Sequence, residues 1–286
     1  MKKTGLVVEG GGMKCAYCAG ILDAFMDNKI TFDYCIGVSG GSGSAASYVA
    51  GQRGRNIRFF TKHLHDPGYF GIRSFLKTGN LFGLQYIYGD LSNSDGKDPF
   101  DFPAFMESPM DYQLVATNAA TGKPEYFKKE DMKQDDYRCF MASCAIPAAC
   151  RPVEINGRAY YDGGLTDAVP VKKALEEGCQ RLVVILSKPR DYVMKPQSFR
   201  FLYKQIFRKY PRIISAIDNR HLMYRNTMEM IAGLEKEGKI FVFAPSRHTR
   251  ARAFTMNEKV EQGLYELAVR DFRAQEKRLK SFLESP

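Results

Sequence analysis

No stretch of the 286 residues approaches the ~18 apolar residues of a membrane-spanning helix. The opening MKKTGLVVEGGGMK is also short of apolar length, with too few such residues between its lysines and Glu9 for a secretory leader. A helical membrane-spanning protein is excluded. Cytoplasm is the expected compartment, with peripheral contact at the inner membrane face left open. Cysteine lacks a pairing pattern: Cys15, Cys18, Cys35, Cys139, Cys144, Cys150 and Cys179 are scattered and odd in number. That usage suits buried thiols in a reducing compartment rather than a disulfide framework. Cys15 and Cys18 form a C-x-x-C, but no second pair completes four metal ligands. They are read as small side chains on the sheet-facing side of a helix, and no metal is expected.

Histidine is scarce, with only His63, His65, His221 and His248. Nucleotide signatures are missing as well. The glycines after the first strand begin a G-x-G-x-x-G at Gly10 and Gly12, but the third position is Cys15. The acidic residue that should close the second strand is also absent, and no G-K-[ST] occurs. The net charge of +10 favours phosphate-bearing surfaces, either nucleic acid or anionic lipid. Zinc ligands, helix-turn-helix signatures and RNP-type aromatics are lacking, so no nucleic-acid partner is expected.

What is present alternates. TGLVVEG, FDYCIGVS, YQLVATNAA, RLVVILS and KIFVFAPS read as strands. Helical spacing covers 13–28, GSGSAASYVAGQ, DDYRCFMASCAI and AVPVKKALEEGC, while Asn156-Gly157 supplies a hairpin turn in RPVEINGRAYYDGG. Strands such as RLVVILS lack polar alternation, as in a parallel sheet covered on both faces. The expectation is a three-layer α/β/α fold with a mainly parallel sheet. Residues 1–190 would be the catalytic part and 191–286 a basic, mainly helical part with one more strand, packed on the same domain.

After the first strand, Gly10, Gly11 and Gly12 form a turn of backbone N–H groups at a helix N-terminus, suited to an anion or an oxyanion. Gly37-Val38-Ser39-Gly40-Gly41 matches G-x-S-x-G between an apolar strand and a run of small residues. A sharp strand-to-helix turn there lifts the serine oxygen clear of the sheet. Ser39 is either a nucleophile or a helix-capping residue. For a base, the histidines are poorly placed. His63 and His65 follow the serine within one helix, in the wrong order for an α/β-hydrolase; His221 lies in a basic helix and His248 among arginines. Asp162 in YYDGG is the alternative, as a desolvated carboxylate able to accept the hydroxyl proton or as an ordinary turn aspartate.

Four motifs in order resemble the patatin-like phospholipases, lipid acyl hydrolases with a serine–aspartate dyad. GGGMK resembles their oxyanion loop and GVSGG their nucleophile elbow. ASCAIPAACRPV resembles the helix-to-strand segment, and DGGLTDAVPV the aspartate motif, over about residues 4–190. The resemblance implies Ser39 as nucleophile, Asp162 as base and the Gly11 and Gly12 amides as oxyanion hole. Gly10 would shape the turn, Lys14 would hold the loop or add positive charge, and Gly37 and Gly41 would form the elbow. It implies a lipid or acyl-ester substrate and no cofactor. One departure is Cys15, where the family usually has glycine; its Cβ would tighten packing between the first helix and the elbow helix. A soluble carboxylesterase or thioesterase of the same chemistry, and a non-catalytic module binding a phosphorylated ligand, are the alternatives.

Two further segments bear on substrate. Residues 67–105, rich in glycine and aromatics, form a flap, one wall of an acyl channel, or a long loop packing its own aromatics. From Lys188 to Arg220 there are nine Lys or Arg against two Asp. Within that stretch, 198–217 has apolar residues at helical spacing, as in an interfacial helix on anionic lipid or a helix packed on the domain with its basic face in water.

Overall fold

The strand-forming segments with no polar alternation assemble at the centre of one sheet. The computed structural model describes residues 2–284; Met1, Ser285 and Pro286, at the ends of the two expected parts, lie outside the described residues. The strands are Thr4–Val8 (β1), Tyr34–Val38 (β2), Asp111–Asn118 (β3), Pro124–Lys128 (β4), Val153–Ile155 (β5), Arg158–Asp162 (β6), Arg181–Ile185 (β7) and Ile240–Phe243 (β8). Their order is β5-β6-β3-β2-β1-β7-β8, with β4 paired to β3. The run from β3 to β8 is parallel, and β4, β5 and β6 are antiparallel additions.

Helices fill the connections: Ala16–Asp27 (α1), Gly40–Val49 (α2), Arg55–Phe60 (α3), Ile72–Thr78 (α4) and Phe102–Glu107 (α5). Arg138–Ser143 (α6), Val171–Glu176 (α7), Arg200–Ile206 (α8), Pro211–Lys236 (α9) and Glu258–Glu284 (α10) follow. Alternate residues of each central strand enter two separate cores. Leu6, Val8, Cys35, Val183 and Ile185 pack with α1, α2 and α10, whereas Val7, Ile36, Val38, Leu182 and Val184 pack with α7 and α9. Both faces are therefore dry, which explains why these strands carry no polar alternation. The fold is the three-layer α/β arrangement with a mainly parallel sheet.

β8 extends the sheet beside β7, and α10 lies along α1. Those two helices approach so closely that a Cβ at Gly20 would stand 2.6 Å from the Tyr265 carbonyl oxygen. A buried hydrogen bond from Tyr17 to Asp271 (3.0 Å) and a part-buried one from Tyr265 to Asp23 (2.9 Å) cross the same contact. The β5–β6 hairpin turns at Asn156 and Gly157, both with positive φ, as the Asn-Gly pair predicts. All seven cysteines are buried thiols.

Three local differences from the sequence expectation have physical reasons. The sequence pattern does not predict β4, because a five-residue edge strand that opens on Pro124, half-buried up to an exposed Lys128, has no clear period. The expected helix over 135–146 is confined to α6; Asp135 takes a left-handed φ of 61° before it, and Pro147 follows it. The 198–217 stretch is two helices, since Pro211 starts α9 and disfavours helical geometry at Tyr210. Residues 67–105 hold α4, a single π-helical turn at Tyr86–Asp90 and α5 in otherwise irregular chain.

Candidate active site

β2 stops at Val38, and the chain turns into α2 through Ser39 at φ 53°, ψ −134°. A residue with a side chain rarely adopts that conformation, so the surroundings must enforce it. Ser42 does so from within α2, donating from its backbone N–H (2.8 Å) and its hydroxyl (2.7 Å) to the Ser39 carbonyl. Ser143 does so from α6. Its hydroxyl accepts from the Ser39 N–H at 2.9 Å and donates to the Val115 carbonyl at 2.7 Å. The turn also needs bare backbone at its flanks. A Cβ at Gly41 would lie 2.5 Å from the Glu9 carbonyl oxygen, and one at Gly37 would lie 2.6 Å from Ser42 Cα.

Strand register brings Asp162 to the serine. β2 pairs with β3 up to Val38 opposite Val115, and β6 begins its pairing with β3 at Asp162 opposite Ala116. Consecutive residues of β3 thus hold the residue before Ser39 and Asp162 itself. Ser39 Oγ donates to Asp162 Oδ2 at 2.7 Å, and Asp162 Oδ1 accepts from the Gly164 N–H at 2.7 Å. The Asp162 N–H donates to the Ala145 carbonyl at 2.9 Å, inside the ASCAIP segment. Burial raises the carboxyl pKa, against the opposing effects of the Ser39 hydroxyl, the Gly164 amide and the Arg220 charge.

The glycine loop stands beside this pair. Gly12 has φ +57°, and a Cβ there would meet the Ala253 carbonyl oxygen at 2.4 Å, so only glycine fits. Among the described residues, no acceptor takes the N–H of Gly11 or Gly12. The Gly10 carbonyl is fixed from behind: it accepts from Ser187 Oγ at 2.9 Å and from Lys188 Nζ at 3.3 Å. In a trans peptide the next N–H points opposite to that carbonyl, so these two contacts also aim the Gly11 amide. Glu9, fully buried, holds the anchors in turn. Its Oε2 accepts from the Ser187 N–H (2.6 Å) and stands 3.0 Å from the Ser187 hydroxyl, whose single proton is shared with the Gly10 carbonyl, and its Oε1 pairs with Lys188 Nζ at 2.5 Å. Lys14 sits with its Nζ 5.2 Å from the Tyr192 ring centre; burial, and then repulsion from Lys188, push its pKa down. Cys15 presents its sulfur toward Gly40 at the start of α2, the contact its Cβ was expected to tighten.

Two cavities meet at Ser39. One, about 90 Å³, is an apolar slot walled by Phe59, Phe60, Phe82, Leu84, Ile87 and Ile146. The other, about 260 Å³, is a polar cleft that takes in the glycine loop, Asp162, Lys188, Arg220 and His221. Ser39 and Gly12 line both. Residues 67–105 therefore supply much of the apolar slot wall.

Three of the four histidines are engaged by other carboxylates. His63 is held between Asp66 and Asp98 (3.1 Å each), His65 faces Glu258, and His248 pairs with Asp191 at the surface. His221 lines the polar cleft without a bond to Ser39 or Asp162. Among the described residues no cluster of three His, Cys, Asp or Glu could hold a metal ion, and no helix is long and apolar enough to cross a membrane. Glu9, Ser187, Lys188 and Arg220 were not singled out from sequence. Their one signal was position, since Ser187 and Lys188 follow the carboxyl end of a parallel strand, where ligand sites of such sheets gather.

The chain has counterparts among known proteins. The family model for patatin-like phospholipases matches residues 6–175, more than half of the sequence, and the chain belongs to that family. A second model, for a domain of unknown function (DUF6363), matches residues 210–284. The chain is 27% identical over 241 residues to the uncharacterised protein YjjU of Escherichia coli (strain K12), covering 83% of this chain and 66% of that relative. It thus spans just under two thirds of that protein's length. An uncharacterised NTE family protein of Mycobacterium tuberculosis (strain H37Rv) is 34% identical over 68 residues, 24% of this chain and 18% of the relative. The crystal structure of VipD from Legionella pneumophila superposes with a TM-score of 0.43 at 15% identity, covering 93% of this chain and 67% of that one.

Proposed function

We propose that this protein is a serine acyl hydrolase that cleaves fatty-acyl esters of lipids. The observation that carries the proposal is the position of Ser39, bonded to Asp162 at the junction of an apolar slot and a polar cleft. An amphiphile fits that junction with its acyl chain in the slot and its alcohol part in the cleft. Ser39 attacks the ester carbonyl while Asp162 takes its proton, and the Gly11 and Gly12 amides hold the tetrahedral oxyanion. The alcohol leaves with that proton. Water then attacks the acyl-enzyme, Asp162 accepts its proton and returns it to Ser39, and the fatty acid departs. In this reading, residues up to about 190 carry the chemistry and the remainder walls the site. A soluble carboxylesterase or thioesterase would share every step and differ in chain-length preference.

Labelling with a long-chain fluorophosphonate tests the reading. Wild type is expected to label, and Ser39→Ala and Asp162→Asn to remain unlabelled. A wild type that stays unlabelled, or a Ser39→Ala protein that still hydrolyses esters, would sink it.

The polar cleft opens beside a face suited to lipid. Phe199 and Phe201 are 70% and 76% exposed, with Leu202 and Ile206 also exposed and Arg200, Lys204, Arg208 and Lys209 interleaved. We propose that this face rests on an anionic bilayer surface. Charge reversal at Arg208 and Lys209 should abolish binding to anionic vesicles. Unchanged binding removes the proposal.

A further inference from the structure

The polar cleft is cationic and unmatched. Lys14 Nζ meets only the Tyr192 ring, and Lys195 makes no hydrogen bond or ion pair with the described residues. Arg220 spends its Nε on the Gly164 carbonyl (2.8 Å), and its two terminal nitrogens make no hydrogen bond or ion pair among the described residues, although its charge acts on Asp162. His221 Nδ1 is buried with no hydrogen-bond partner. Among the residues lining the cleft, the sole carboxylate is Asp162, whose oxygens face Ser39 and the Gly164 amide. Lys188 is also present, but its charge is engaged by Glu9.

Lys14 and Arg220 are half-buried and Lys195 stands exposed at the rim, and half-buried cations with spare donors favour a ligand with concentrated negative charge and several acceptor oxygens. A zwitterionic choline or ethanolamine head fits poorly. Its ammonium needs a carboxylate or a free aromatic face; the Tyr192 ring already faces Lys14 Nζ at 5.2 Å and Lys188 Nζ at 5.7 Å, and Phe254, the other aromatic of the cleft, is stacked on Phe82 at 5.5 Å. A neutral glycerol head would leave the cations unpaired.

We infer that the cleft is a phosphate subsite, in which Lys14, Lys195, Arg220 and His221 grip a terminal phosphomonoester on the alcohol side of the scissile ester. The assignment of alcohol side rests on the reading of Ser39 as nucleophile. Lys195, Arg220 and His221 lie beyond the residues matched by the family model, and Arg220 and His221 fall in the 210–284 match. The C-terminal part thereby acquires a role in head-group selection.

Calorimetry on the Ser39→Ala protein tests this without turnover. Three single-chain ethers, which lack the ester, are compared below their micelle concentrations: hexadecylglycerol phosphate, hexadecylglycerol, and hexadecylglycerophosphocholine. The phosphomonoester is expected to bind at least tenfold tighter than the other two. A Lys195→Ala/His221→Gln double variant should lose most of that preference. Equal affinities for the three ethers, or a preference intact in the double variant, would overturn the subsite. Inorganic phosphate binding as tightly as the ether phosphate would also overturn it, by marking a free-phosphate site. Fluorophosphonate labelling of wild type keeps the two readings apart. An unlabelled protein that selects the phosphate ether loses the hydrolase reading alone, and a labelled protein without selectivity loses the subsite alone.

Discussion

Replacing Lys188 with methionine is the sharpest probe of how the glycine loop is held. Lys188 is 7% exposed and Glu9 fully buried, and they pair at 2.5 Å. Methionine keeps most of the apolar length of the side chain and removes the ammonium. It leaves Glu9 as a buried carboxylate with neutral donors alone, Ser187 and the Tyr224 hydroxyl, so destabilisation of about 3–5 kcal/mol is expected. Urea unfolding followed by circular dichroism reads that loss as a lower midpoint at unchanged slope. The double variant Glu9→Gln/Lys188→Met removes both charges and should recover most of the stability, because a buried pair replaced as a whole costs little. Its activity should not recover. The Gly10 carbonyl has lost its Lys188 contact, and loosening the aim of the Gly11 amide should slow fluorophosphonate labelling about tenfold. An unchanged midpoint for Lys188→Met would refute the buried-pair account. Recovery of both stability and labelling rate in the double variant would refute the positioning role.

Other outcomes follow from the same geometry. Gly12→Ala places a Cβ against the Ala253 carbonyl in a left-handed residue, and should cut ester turnover by about 10²–10³-fold by displacing a proposed oxyanion donor; turnover within twofold of wild type would contradict it. Burial holds the Asp162 carboxyl above its ordinary value, and its protonated form cannot accept the Ser39 proton. Activity should therefore fall on acidification at a higher pH than for an exposed aspartate, and a pH profile flat down to the ordinary carboxylate range would refute this. Glu261 is fully buried with neither oxygen hydrogen-bonded among the described residues, and burial pushes its pKa to about 8. Because that folded value is raised, its contribution to stability is present at low pH and is lost as pH rises toward about 8. Melting temperatures at pH 5 and pH 8 should show a drop in wild type that Glu261→Gln largely removes, and parallel profiles would exclude it.

The strands were readable because burial on both faces leaves an unbroken apolar run, as in RLVVILS. The turns at Asn156-Gly157 and around Ser39 were readable because backbone sterics restrict which residues fit. The approach of Asp162 to Ser39 is less visible in sequence, since it depends on β3 holding β2 and β6 at consecutive residues. Motif order pointed to that pair where pattern alone could not. The Glu9–Lys188 pair spans 179 positions and carries no local signature, so only the fold exposes it. The break before Pro211 was within reach of sequence reasoning; the apolar period on either side masked it.

The contact between Gly12 and Ala253 bears on modularity. The Ala253 carbonyl accepts from the Met13 N–H at 3.2 Å, so a loop near the C-terminal end closes the back of the N-terminal glycine turn. β8 likewise covers the outer edge of β7, whose end carries Ser187 and Lys188. The segment that matches the family model is consequently not a transplantable cassette. Grafted without the residues that follow it, it would bring the serine and the aspartate but not the struts that keep the neighbouring amides in place.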